Sequence, residues 1–99
     1  MKKLPPVHPG EVLAEDYLAP LGMSANALAL ALRVPANRLT DIIRGKRSIS
    51  ADTALRLARH FGTSAQLWMG LQSQYDLAVE SDANAARIER EVEVLRKSA

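Results

Sequence analysis

Asn37, Arg38, Thr40, Asp41 and Arg44 fall within eight residues of one another and carry hydrogen-bonding side chains. Their chemistry matches the edges of base pairs. An asparagine can pair with adenine N6 and N7, and an arginine with guanine O6 and N7. Asp41 can accept from cytosine N4 or can orient Arg38 or Arg44. Lys46, Arg47 and Ser48 follow at once, and basic and hydroxyl side chains in that place suit backbone phosphates. Upstream, Ser24 and the amides of the helical turn it would begin can hold a phosphate through the helix dipole.

The charge distribution supports this chemistry. The 99 residues include 13 Lys and Arg and 11 Asp and Glu, a net of only +2. Between Arg33 and Arg59, however, seven basic and two acidic residues give +5, and the rest of the chain carries −3. A basic middle with acidic flanks is the footprint of a phosphate-binding face.

Other chemistries find little support. His8 and His60 stand alone, no HExxH or phosphate-binding glycine loop occurs, and the carboxylates fall mostly on solvated faces. No enzyme, metal site or cofactor is expected. The absence of cysteine excludes disulfides and Cys-ligated zinc and suits a reducing cytoplasm. No apolar run approaches the roughly 20 residues of a membrane span. Prolines interrupt the segment behind Lys2 and Lys3, so no signal peptide and a cytoplasmic location are expected.

The elements that must position these side chains are helices. Pro5 and Pro6 keep residues 1–8 irregular. A first helix is predicted from Pro9 to Leu18, with His8 as N-cap, Glu11 completing a capping box, and Pro20 and Gly22 ending it. Val12, Leu13, Tyr17 and Leu18 form its inner face. Ser24 caps a second helix that turns Leu28, Ala29 and Leu32 inward and leaves Leu30 outside. Pro35 opens a third, with Leu39, Ile42 and Ile43 facing inward and Gly45 stopping it. Ser50 caps a fourth with a core set of Ala54, Leu57, Ala58 and Phe61, which Gly62 ends. Ser64 starts a fifth with Leu67, Trp68, Leu71 and Tyr75, Trp68 being the largest core residue. Beyond Ser81, Ala85, Ile88, Val92 and Leu95 step at helical spacing along a helix otherwise made of charged residues. That stripe is too short to stand alone and must dock on its own domain, a twin or another protein, or fray. The second and third helices have the outline of a helix-turn-helix whose second helix enters the major groove.

From Gly22 to Gly62 the chain reads GMSANALALALRVPANRLTDIIRGKRSISADTALRLARHFG, which resembles the Cro/C1-type helix-turn-helix domain of the xenobiotic-response-element class. The flanks HPGEVLAEDYLAPLGMS and GTSAQLWMGLQSQYDL are similar to those of HigA-type antitoxins. The resemblance covers about residues 8 to 78. It implies an all-α, five-helix, lambda-repressor-like domain over residues 9–78, after an arm at 1–8 and before a C-terminal amphipathic helical tail at 79–99. By the family pattern, Ala36, Asn37, Arg38 and Asp41 fall where bases are read, with Thr40 on the same surface. Ser24, Asn26, Lys46, Arg47 and Ser48 fall where phosphates are held, with Arg44 beside them. Arg33 stands where the family often has glycine, and a left-handed conformation there costs about 1 kcal/mol.

The resemblance also implies a homodimer on a palindromic operator in its own promoter, bound on the nucleoid. It implies a partner as well: a small basic, mRNA-cleaving toxin of the HigB/RelE-like type. Two half-sites one helical turn apart need two recognition helices. Ile88, Val92 and Leu95 are one candidate dimer surface; Leu30, Leu55 and the fifth helix are others. The alternatives are a free-standing regulator of the same fold without a toxin, and an interaction module whose third helix binds protein.

Overall fold

The computed structural model describes residues 4–96, which form five helices and, among those residues, no strand. The outer ends of the expected arm and tail, residues 1–3 and 97–99, lie outside the described residues. Helix α1 is a continuous run over residues 9–21; α2 is Ala25–Leu32, α3 Ala36–Ile43, α4 Ala51–Phe61 and α5 Ala65–Glu91. Serines begin three of them. Ser24 Oγ accepts from Ala27 N–H at 3.0 Å, Ser50 Oγ from Thr53 N–H at 3.3 Å, and Ser64 Oγ from Leu67 N–H at 3.1 Å.

Helix α1 departs from the predicted Pro9–Leu18. It continues through Pro20 to Leu21 because Leu13–Leu18 is a π-helical turn between short α-helical ends. Ala19 N–H reaches back five residues to the Ala14 carbonyl. A proline in an ordinary α-helix clashes with the carbonyl four residues back. The wider turn lies just ahead of Pro20 and lets the helix pass it. Gly22, left-handed at φ 61°, then stops the run, with Met23 N–H on the Leu18 carbonyl and Gly22 N–H on that of Ala19. At the other end His8 is the cap as predicted, its Nδ1 accepting from Gly10 N–H at 2.9 Å. The expected capping box is replaced by a backbone bond from Glu11 N–H to the His8 carbonyl at 2.9 Å.

The core is Leu13, Leu18, Leu28, Ala29, Leu32, Leu39, Ile42, Ile49, Ala54, Leu57 and Trp68. These are mostly the inward stripes predicted from spacing, joined by Ile49 from the loop after α3. Trp68 is fully buried, and its indole N–H donates to Thr63 Oγ1 at 2.8 Å. Tyr17 packs its ring 4.9 Å from Phe61 and 5.0 Å from Trp68, tying α1 to α4 and α5.

Helix α5 runs without interruption through residues 78 and 79. The amphipathic tail is therefore the second half of α5, nucleated by the half that packs on the core. Its apolar stripe is shorter than predicted. The helix ends at Glu91, and Val92 is extended at φ −108°, ψ 117°. Leu95 thus lies beyond the helix that was expected to align it with Ile88, whereas Val92, the C-cap, still donates its N–H to the Ile88 carbonyl at 2.8 Å. Two acidic residues, Glu91 and Glu93, oppose the dipole at this C-terminus, and Val92 and Val94 are β-branched.

Candidate nucleic-acid interface

Helix α3 is an exposed reading edge on a buried spine. Leu39 and Ile42 are fully buried beneath it. One helical turn away, Ala36, Asn37 and Arg44 are exposed, and Arg38, Thr40 and Asp41 are half-buried. Pro35 sits in extended conformation at the N-cap and offers no side-chain acceptor; its backbone carbonyl accepts from Arg38 N–H at 3.1 Å instead. Thr40 Oγ1 donates back to the Asn37 carbonyl at 3.3 Å.

The turn before α3 holds Arg33 left-handed at φ 62°, ψ 44°. Arg33 N–H bonds the Leu30 carbonyl and Val34 N–H that of Ala29, the ending usually given to glycine. After α3, Gly45 takes φ 75°, with Gly45 N–H on the Ile42 carbonyl and Lys46 N–H on that of Asp41. This reverses the chain and sets Lys46, Arg47 and Ser48 exposed at the end of α3. The loop is then anchored from within. Ile49 is buried, and its N–H donates to Gln72 Oε1 at 2.8 Å; Gln72 Nε2 donates to Asp76 Oδ1 at 2.9 Å.

Asp41 faces neither Arg38 nor Arg44. Its carboxylate lies 4.0 Å from Arg47. Arg38 pairs across helices instead, its Nη1 donating to Asp52 Oδ2 at 2.9 Å. The same oxygen accepts from Arg56 Nε at 2.9 Å, and Arg56 Nη1 donates to the Leu32 carbonyl at 2.9 Å. The Arg56 hydrogen bond, foremost, and Arg38 beside it hold the Asp52 carboxyl below its ordinary value. On α2, Ser24 and Asn26 are exposed. Ser24 Oγ accepts from the helix but keeps its own O–H to donate.

A protein-family model described as Helix-turn-helix matches residues 15–68. The Pseudomonas aeruginosa antitoxin HigA, solved with the higBA promoter, superposes with a TM-score of 0.89 at 52% identity, covering 92% of this chain and 99% of that one. The chain belongs to the helix-turn-helix family, among the HigA-type antitoxins. An addiction-module antidote protein of the HigA family from Coxiella burnetii is similar too, with a TM-score of 0.89 and 48% identity over 93% of this chain and all of that one. Virulence-associated protein I of Dichelobacter nodosus is 51% identical over 87 residues, 87% of this chain and 81% of its own. HigA-type proteins of this Cro/C1 class are DNA-binding regulators rather than enzymes, and no helix of the described residues is long and apolar enough to cross a membrane.

Three residues that shape this HigA-type face did not stand out in the sequence. Asp52 and Arg56 are four apart on α4, a spacing that signals an ion pair. Gln72 interrupts an apolar stripe four residues after Trp68, which marks a polar group with a buried partner. Of the predicted dimer residues, Ile88 is half-exposed on α5, Val92 is the exposed C-cap of that helix, and Leu95 is exposed beyond it.

Proposed function

We propose that the chain binds duplex operator DNA as a homodimer, represses its own promoter, and neutralises a small basic mRNA-cleaving toxin of the HigB/RelE-like type. The observation that carries the DNA reading is the union of an outward polar α3 with a basic loop fixed at its end through Ile49 and Gln72. In this reading α3 lies in the major groove. Asn37 and Arg38 read base edges, with Ala36, Thr40 and Asp41 on the same surface. Ser24, Asn26, Arg44, Lys46, Arg47 and Ser48 hold phosphates on either side. The local charge of +5 supplies the counterion release that drives association. The Pseudomonas aeruginosa HigA structure with its promoter supports the same ligand.

The second copy sits on the second half of α5 and its C-cap, where Leu77, Ala85, Ile88 and Val92 line an apolar groove of about 470 Å³. Membership among HigA-type antitoxins supports the toxin partner. Footprinting on the DNA upstream of the chain's own reading frame tests the dimer: two protected half-sites about one helical turn apart support it. A single protected half-site overturns it. Co-expression with the adjacent short reading frame tests the antitoxin role. A frame that is toxic alone and harmless with this chain supports it; growth that co-expression does not rescue leaves a free-standing regulator.

A further inference from the structure

Arg38 is not steadied by its own helix. Its guanidinium is held from α4 by Asp52, whose Oδ2 also accepts from Arg56. Arg56 is fixed in turn on the Leu32 carbonyl, at the C-terminal end of α2, where the helix leaves acceptors unpaired. Three charge-assisted hydrogen bonds, each of 2.9 Å, therefore connect the end of α2 through α4 to the first turn of α3. They link both helices of the helix-turn-helix to a third that itself offers no residue to the reading edge.

An arginine free in water samples many rotamers and loses that freedom when it docks on a base. Held beforehand, it binds without that loss, and it binds in one place. Asp52 occupies one guanidinium N–H of five, and a bidentate guanine contact needs two. The carboxylate thus orients Arg38 without consuming its reading capacity. Its negative charge also lies beside a phosphate-binding face, where it disfavours any duplex equally.

We propose that Asp52 is a positioning residue for sequence recognition: it holds Arg38 in its base-reading pose, with Arg56 and the Leu32 carbonyl as its anchor. This deepens the DNA-binding reading above and rests on it. Its signature is a split that a purely structural residue does not give: loss of Asp52 lowers discrimination at one base pair while leaving or raising affinity for DNA in general.

The test titrates the full chain against the duplex upstream of its own reading frame and against a set with each base pair replaced in turn. Arg38→Ala identifies the base pair that Arg38 reads. Asp52→Asn is expected to lower discrimination at that base pair about tenfold, with other positions unchanged. The Asp52→Asn, Arg38→Ala double variant loses nothing further there. Arg56→Gln keeps the carboxylate, releases it from Leu32, and shifts discrimination in the same direction. Asp52→Asn with full discrimination at that base pair overturns the proposal. So does a uniform weakening on all duplexes with a lowered Tm, and so does an Arg38→Ala variant with no position-specific effect. Failure of the DNA-binding reading itself is distinct, because it shows in the unsubstituted chain as no salt-dependent binding to any duplex.

Discussion

Gly10 lies against the main chain of Ile42 so closely that a methyl group on it would stand 1.8 Å from the Ile42 carbonyl oxygen and 2.9 Å from the Ile43 Cα. The first turn of α1 thereby braces the last turn of α3, directly behind the loop that carries Lys46 and Arg47. Helix propensity alone favours alanine over glycine by about 1 kcal/mol. A clash with backbone cannot be relieved by a side-chain rotation, so steric cost decides the sign. Gly10→Ala is expected to destabilise the fold by about 3 kcal/mol, measured by urea unfolding. A variant as stable as the parent contradicts this packing.

Gln72 answers a buried donor. Replacing it with leucine preserves volume approximately but strands the Ile49 N–H in the core. Gln72→Leu is expected to cost about 1–3 kcal/mol and to speed hydrogen exchange at the Ile49 amide. Unchanged exchange there shows that the loop is held by other means.

Arg33 is the non-glycine residue with positive φ among the described residues. Its left-handed conformation costs about 1–2 kcal/mol, partly offset in a glycine variant by the larger entropy of its unfolded chain. Arg33→Gly is expected to stabilise the protein by about 0.5–1 kcal/mol, a rise in Tm of about 4 °C. A fall in Tm argues that the Arg33 side chain makes a stabilising contact.

The His8 cap makes stability depend on pH. Burial, foremost, holds the imidazole below its ordinary value of 6.5, and the Asp76 charge opposes this in part. Capping also requires an unprotonated Nδ1, the atom that accepts from Gly10. Because the folded pKa is depressed, the unfolded chain takes up the proton first. The contribution is complete above pH 6.5 and is lost as the pH falls through the folded value. Asp52, also depressed, acts in the same direction further down, below its ordinary 3.8. Thermal melts from pH 8 to pH 5 are expected to fall for the parent and to flatten for His8→Asn, which caps without titrating in that range. Parallel curves contradict the role of His8.

What the sequence made legible was local. Ser24, Ser50 and Ser64 announce their helices within three residues, and the inward stripes of Leu28, Leu39, Ile42, Leu57 and Trp68 follow from helical period alone. The outward residues of α3 were identified because everything opposite them is apolar. What stayed hidden depends on contacts between distant segments. Nothing near Gly10 announces Ile42, nothing near Gln72 announces Ile49, and Arg38 finds Asp52 on another helix while Asp41 turns to Arg47. The π-turn ahead of Pro20 escaped for a different reason. A proline reads as a stop, and the wide turn that accommodates it has no signature of its own. The end of α5 was overrun because the spacing of Val92 and Leu95 matches a helix that β-branching and carboxylates at its C-terminus do not sustain.

The DNA-binding reading is tested most directly by the salt dependence of binding to the duplex upstream of the chain's own reading frame, compared with a scrambled duplex. It predicts tighter binding to the upstream duplex and a linear fall of log K with log salt on both. Lys46→Ala lowers the salt slope by about 1 and weakens both duplexes alike. Binding that ignores salt, or equal affinity for the two duplexes, would contradict it.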